Sequence, residues 1–484
     1  MTVINYLKNS VFRTLLRKSK KQQLTNELQD IGLWDLWQNT SGHMAIGNHD
    51  MVTLIEEYGS PVFVVNHARL VKDIRHTQSA LGKLDIGTKL LYSYKTNCIP
   101  GILKVMHNEG IGAEVISHYE LWVANKLNVP GDNIVFNGVN KTDESLKLAV
   151  DMEIFSINVD DKNEIERIYR IAREKKKRVR VGVRLGLIKK SQFGVDVESG
   201  AAMEACRKII ELSDHLDLHC IHFNVTSNAK DATTHIFYAH KAIEFMHQVQ
   251  SATGHYIPYL DIGGGFGVAT TKNMSSSEYG LYRLFGCLPR PPLLSEYRPF
   301  SETIMNIHDS IKELCSRLGY GCPKIIIEPG RLITSSAQML MTKINAIKRK
   351  NDGTEFVITD TGRLSTTFPC DFEYHEMFLA NRPADKLTHL YQIMGRICTS
   401  ADWLMKNRLL PELDSNDILA IMDVGAYFSS YSSNFAFHRP PIVMVSDSGV
   451  SVLRKEETFE HLVAMDCIMN NCGSVSPTIG TMNI

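Results

Sequence analysis

Three segments of this chain carry residues whose types and spacing could do chemistry, and each closes a short apolar run. Lys95 ends KLLYSYK (89–95), Gly263-Gly264-Gly265 lie in YLDIGGGF (259–266), and Glu328-Pro329-Gly330-Arg331 follow KIII at 324–327. A lysine amine can form an imine with an aldehyde. Glycines let backbone N–H groups approach a phosphate closely, and an arginine can clamp its oxygens. Around these lie Glu114, Arg184, Asn224 and Ser227, also at or just past the ends of apolar runs. One lysine, a polar ring, a glycine-rich turn and an arginine describe a pocket for pyridoxal 5'-phosphate.

Such a pocket needs elements that bring distant segments together. Eight apolar runs supply them: 89–95, 112–115, 133–138, 154–159, 180–185, 218–225, 259–266 and 324–330. Helix-like stretches such as 161–175 and 233–253 lie between them. Strands alternating with helical crossovers predict a parallel (β/α)8 barrel, with function at the C-terminal strand ends. A doubly wound open sheet would give a similar alternation. Beyond Arg331 the pattern turns to strands and turns (QMLMTKINAIKR, EFVITDTG, DILAIMDVG, PIVMVSDSG), which predicts a second, all-β domain. The expected division is a helical, separate extension over 1–50, a cofactor-binding barrel over 67–334, a β domain from 51–66 plus 335–465, and a tail over 466–484. Residues 268–299 read as a long surface insertion with some helix.

Several segments in this order resemble the ornithine/diaminopimelate decarboxylase family, the fold type III pyridoxal-phosphate enzymes. They are Tyr94-Lys95-Thr96-Asn97, GAEVISHYEL (112–121), Gly263-Gly264-Gly265-Phe266-Gly267, Glu328-Pro329-Gly330-Arg331, Gly395-Arg396-Ile397-Cys398 and Gly425-Ala426-Tyr427. The resemblance covers roughly residues 55 to 450 and implies an alanine-racemase-like barrel with a β-sandwich or barrel-like second domain. It implies that Lys95 holds the cofactor covalently and that Glu328 keeps the pyridine nitrogen protonated. Gly264, Gly265, Ser227, Arg331 and Tyr427 would hold the phosphate, with Glu114, Arg184 and Asn224 near the ring. Cys398 would return a proton to the α-carbon after CO2 leaves, acting across the interface of a homodimer with shared active sites.

Three departures from the family pattern bear on chemistry and substrate. Asn224 stands where the family has a histidine stacked on the cofactor ring; His222, on the same strand face, is the nearby aromatic, and a structural barrel histidine is its plainer reading. Phe368 stands where diaminopimelate decarboxylases carry an arginine that grips the distal carboxylate, so diaminopimelate itself is not the expected substrate. Thr399 replaces an acidic residue after the cysteine, leaving Glu373 to read a distal amine; if Glu373 points away, the substrate end is neutral or a larger conjugate.

The expected activity is therefore removal of the α-carboxylate from an amino acid, a diamino acid or an amino-acid conjugate of specialised metabolism. The alternatives are a racemase of the same fold, or a catalytically degenerate regulatory homologue. Composition agrees with a two-domain globular protein: 484 residues, 44% hydrophobic and 22% charged. With 53 basic and 53 acidic residues the formal net charge is zero, which gives no reason to expect nucleic-acid binding. No apolar run approaches the roughly 18 residues of a membrane span. The 10 cysteines show no zinc-like spacing, so no metal is expected, and their scatter suggests reduced thiols in the cytoplasm. A basic stretch, Arg13 to Lys21, is expected to be a solvated helix.

Overall fold

The computed structural model describes residues 30–366 and 369–466. The basic stretch Arg13–Lys21, the tail beyond Asp466 and Phe368 lie outside the described residues. The expectation of a helical, separate N-terminal extension is corrected for residues 31–50. A 3₁₀ turn (Ile31–Trp34) leads into a small antiparallel sheet of β1 (Trp37–Gln38), β2 (Met44–Ile46) and β3 (His49–Asp50). Asp35 ends the turn in the left-handed region (φ 56°), which stops any helix there. The Trp34 indole donates to Asp423 (2.9 Å), and Met44 N–H donates to Ala380 O (2.7 Å). Trp34, Leu36 and Ile46 share one apolar cluster with Met339, Phe378 and Val443, so this segment is part of the β domain's core.

The next strand, β4 (Val62–Asn66), also joins the β domain, and the barrel follows it. Its strands are β5 (Thr88–Ser93), β6 (Gly112–Val115), β7 (Ile134–Phe136), β8 (Ser156–Val159), β9 (Val179–Gly186), β11 (Leu216–His222), β12 (Tyr259–Asp261) and β14 (Lys324–Ile327). A short β10 (Val195–Asp196) pairs in parallel with the end of β9, and β13 (Lys272–Asn273) lies in the 268–299 insertion, which also carries a helix over Ser276–Phe285. All neighbouring barrel strands are parallel, and pairing of β8 with β9 closes the circle. That closure excludes the open doubly wound sheet.

Strand register sets the site. In a barrel alternate residues face inward, so parallel pairing places inward columns at matched heights. The pairs Ser93↔Glu114, Arg184↔His222 and His222↔Asp261 lie directly across from one another. Below them, Leu91, Val135, Cys220 and Ile326 form a small apolar plug. Two residues further along the same columns stand Ser93, Asn137, His222 and Glu328. Each column therefore changes from apolar to polar on reaching the C-terminal face, the face where such barrels carry their chemistry.

The β domain is built around β15 (Gln338–Arg349). Its first half pairs with β4 and β21 (Ile418–Met422), and its second half with β16 (Glu355–Thr359). β17 (Glu373–Tyr374), β18 (Met377–Leu379), β19 (His389–Met394), β20 (Trp403–Leu410), β22 (Ile442–Ser446) and β23 (Gly449–Arg454) complete the described strands. Among the described residues no helix is long and apolar enough to cross a membrane.

One buried ion pair braces the barrel wall beside the polar ring. Lys141 Nζ donates to Glu164 (2.9 Å) and to Gly138 O (2.7 Å), and its side chain is fully buried. Losing one member strands the other in a medium that cannot solvate it. Lys141→Met is expected to lower unfolding free energy by ~3–5 kcal/mol. Lys141→Met with Glu164→Leu should recover much of that loss in the same denaturant titration.

Candidate active site

A cavity of about 640 Å³ opens at the C-terminal face of the barrel, lined by Lys95, Glu114, Arg184, His222, Asn224 and Ser227 among others. It is large enough for a small organic ligand. Lys95 sits in a 3₁₀ turn, Tyr94–Thr96, immediately after β5, which aims its side chain across the mouth of the barrel. Its Nζ donates to Glu114 Oε2 (3.0 Å), and Ser93 Oγ donates to the same oxygen (2.5 Å). Burial works against charge on Lys95, but Glu114 and Glu328 outweigh it and raise its pKa.

Polar contacts run from Lys95 to Glu328 without a break. Asn137 Nδ2 donates to Glu114 Oε1 (3.0 Å) and to Glu328 Oε1 (2.7 Å). Its own carbonyl oxygen accepts from Asn158 (2.9 Å), which in turn accepts from Ser156 (2.7 Å). Asn137 is thus held with its amide bridging two carboxylates. Glu328 Oε2 is buried and has no donor, while the His222 ring lies 3.6 Å from it. Despite burial, Glu328 is held well below the usual carboxylate range by His222, with Asp261 and Lys95 adding to the effect.

The glycines of the two turns answer to close packing. A Cβ on Gly264 would lie 2.3 Å from Glu328 O, and one on Gly330 would lie 1.9 Å from Thr96 Oγ1. Gly264 therefore locks the glycine turn to Glu328, and Gly330 locks the Glu-Pro-Gly-Arg segment to the lysine turn. His235 shares a hydrogen bond with Gly264 O (2.9 Å), and its ring stacks on Phe266 at 4.5 Å. Tyr427 N–H donates to Thr96 O (2.8 Å), bringing the Gly425-Ala426-Tyr427 turn against Lys95.

Arg331 and Glu373 meet one another. Both terminal nitrogens of Arg331, expected to clamp a phosphate, donate to the two Glu373 oxygens (3.0 and 2.6 Å), and the guanidinium lies 5.5 Å from the Tyr427 ring centre. Glu373 is buried, with His375 3.3 Å away, and burial is outweighed by Arg331 so that its pKa is lowered. Glu373, expected to read a distal amine, has its carboxylate engaged by the buried Arg331 guanidinium in this structure.

Lys95, Glu114, Arg184, Asn224 and Ser227 share the cavity, and Glu328, Arg331 and Tyr427 adjoin it. Arg184 is tied to Asp160 (3.1 Å) and stands 4.5 Å from the Phe193 ring. Cys398 and Thr399 are exposed on the turn after β19 and do not line the cavity of their own chain. That turn is held by buried Asp402, which accepts from Arg363 N (2.8 Å) and Ile397 N (2.7 Å). Sequence reasoning missed Asn137, Asn158, Asp261 and His235. The first three were accessible, since each lies in an apolar run at inward parity, where a polar side chain is out of place unless it has a task.

The site fits a phosphorylated pyridine aldehyde. It offers an amine for the aldehyde and a buried carboxylate oxygen lacking a donor for the ring nitrogen. Comparisons with known proteins agree. The model of the family "Pyridoxal-dependent decarboxylase, pyridoxal binding domain" matches residues 67–335. Diaminopimelate decarboxylase of Methanocaldococcus jannaschii is 28% identical over 449 residues, covering 88% of this chain and 95% of the relative. That of Bacillus subtilis is 26% identical over 444 residues, covering 89% and 96%. The crystal structure of the M. jannaschii enzyme in co-complex with L-lysine superposes with a TM-score of 0.78 at 27% identity, covering 89% of this chain and 97% of that one.

Proposed function

The chain belongs to the pyridoxal-dependent decarboxylase family, and from that premise we propose that it removes the α-carboxylate of an amino acid whose distal end carries no free carboxylate. It is a decarboxylase of the diaminopimelate-decarboxylase type, and its cofactor is pyridoxal 5'-phosphate. The observation that carries the reading of the site is the unbroken contact chain Lys95–Glu114–Asn137–Glu328. When bound, the cofactor supplies an electron sink for the pair left as CO2 departs. Lys95 holds it, and Glu114 positions the lysine nitrogen and its proton. Glu328 keeps a proton at the pyridine nitrogen, while Asn137 fixes the rotamer of that carboxylate. Gly264 and Gly265 with Ser227 and Tyr427 would hold the phosphate, with Arg184 and Asn224 on the ring side of the cavity.

The substrate end is the finer part of the proposal. The relatives are named for diaminopimelate, and one is complexed with L-lysine. In this chain the Glu373 carboxylate already occupies the Arg331 guanidinium. Arg331 therefore has no unpaired charge to offer an additional carboxylate. Phe368 in place of an arginine and Thr399 in place of an acid point the same way. Cys398, exposed on a turn tip, is read as the proton donor for a second copy of the chain in a homodimer.

The test is CO2 release from meso-diaminopimelate beside ornithine, lysine and acylated diamino acids, together with borohydride trapping of the cofactor. The cofactor should be fixed on Lys95 in a peptide map, and diaminopimelate should be a poor substrate. Fixation on a different lysine sinks the site assignment. Diaminopimelate as the best substrate sinks the substrate assignment alone. Loss of α-proton asymmetry without CO2 would identify a racemase.

A further inference from the structure

Beneath the position assigned to the pyridine nitrogen lies a carboxyl group that the proposed chemistry does not use. Asp261 is fully buried, pairs directly with His222 across β11 and β12, and stands on the same inward face as Glu328. A side-chain oxygen of Asp261, one of Glu328 and a ring nitrogen of His222 all lie within 4.8 Å of one another. Asp261 Oδ1 accepts from Gly263 N–H (2.9 Å), and Glu328 Oε1 accepts from Asn137 (2.7 Å). The remaining oxygens, Asp261 Oδ2 and Glu328 Oε2, are both buried and both without a donor.

Two ionised carboxylates cannot share a dry site at this separation; one proton between them satisfies both. The surrounding groups decide which oxygen keeps it. Glu328 faces His222, Asn137 and Lys95, all of which favour its anion. Asp261 faces Glu328 and Glu114, which oppose its own, and the His222 ring that it shares with Glu328. Burial, with Glu328 next in size, accordingly pushes the Asp261 carboxyl far above its ordinary range while Glu328 falls below it.

We propose that Asp261 is a positioning residue, kept as a neutral carboxylic acid whose O–H donates to one lone pair of Glu328 Oε2, leaving the other for the ring nitrogen, and makes Glu328 a weaker base. A carboxylate that already accepts this hydrogen bond competes less for the pyridine proton, so the proton stays on the ring where the electron sink requires it. The inference rests on the function proposed above, but its first measurement does not need that function. Asp261→Asn keeps shape and a donor toward Glu328; Asp261→Ala removes the donor. Difference infrared spectra of the enzyme against Asp261→Asn should carry the carbonyl stretch of a protonated carboxylic acid, persisting above neutral pH. Nitrogen NMR of ring-labelled cofactor should report a protonated pyridine in the parent and in Asp261→Asn. In Asp261→Ala the signal should shift toward the neutral ring, with kcat lower by on the order of tenfold, one pKa unit of base strength at Glu328. Recovery of both readouts in the Asn variant separates tuning from folding. Absence of the carboxylic-acid band overturns the proposal, as does an unmoved nitrogen signal in Asp261→Ala or a stoichiometric metal ion bound by the trio. Failure of the protein to take up cofactor at Lys95 would instead overturn the proposed function, with the infrared band still deciding the state of Asp261.

Discussion

Glu328→Gln is expected to lower kcat by roughly 10²–10³-fold, with KM changing far less. The amide preserves size and can still meet Asn137, so the barrel should keep its shape. It cannot hold a proton on the pyridine nitrogen by charge, and a neutral ring accepts electrons poorly. The loss therefore falls on the step in which charge develops, which is the pattern of an interaction made in the transition state. Steady-state kinetics with the best amino acid of the panel would measure it. Borohydride trapping at Lys95 should be unimpaired, because Glu328 lies at the other end of the contact chain through Asn137. A Glu328→Gln enzyme with parental kcat would remove the electron-sink role from this residue.

Cys398→Ala is expected to reduce amine formation by roughly 10²–10⁴-fold, the usual worth of a positioned general acid. Departure of CO2 does not need the thiol, so CO2 release should fall less than amine formation. Protonation at an alternative carbon then raises the share of carbonyl product. CO2, amine and carbonyl product measured side by side would show the split. The turn that presents Cys398 is anchored by Asp402 rather than by the cysteine, so the substitution should leave the fold intact. Because Cys398 is exposed and lies outside its own cavity, the dimer reading makes a second demand. Mixed dimers of Lys95→Ala with Cys398→Ala chains carry one site with both groups intact, and should form amine faster than either variant alone. An unchanged product ratio in Cys398→Ala would move the acid elsewhere, and inactive mixed dimers would place any shared site in doubt.

Many residues that line the candidate site were legible because the information is local. A lysine at a strand end, three consecutive glycines and Glu-Pro-Gly-Arg each declare a backbone or charge requirement within a few residues. Alternation of apolar runs and helical stretches named the strands, since parallel strands buried on both faces read as continuous apolar runs. The order of these segments along the chain carried the resemblance to a family. The polar residues inside the runs, Asn137, Asn158 and Asp261, were equally local but were passed over as parts of strands.

Other features depended on contacts that sequence distance conceals. Residues 31–50 lie in the stretch 1–50 expected to be helical, but strands of two or three residues have no measurable period, and their structure comes from Trp34 reaching Asp423 and Met44 reaching Ala380. Barrel closure required the pairing of β8 with β9, which an open sheet with the same strand pattern would lack. The sequence by itself determined which chemistry the chain can do, because cofactor binding calls for particular residue types at strand ends. Only the tertiary structure decided how those residues are charged and what they have left to offer. Arg331 and Glu373 lie 42 residues apart and pair in a buried site, while Asp261 and Glu328 come from neighbouring strands and meet beside His222. Electrostatic interaction depends on separation in space and on the removal of water, and neither is written in the spacing of residues along a chain.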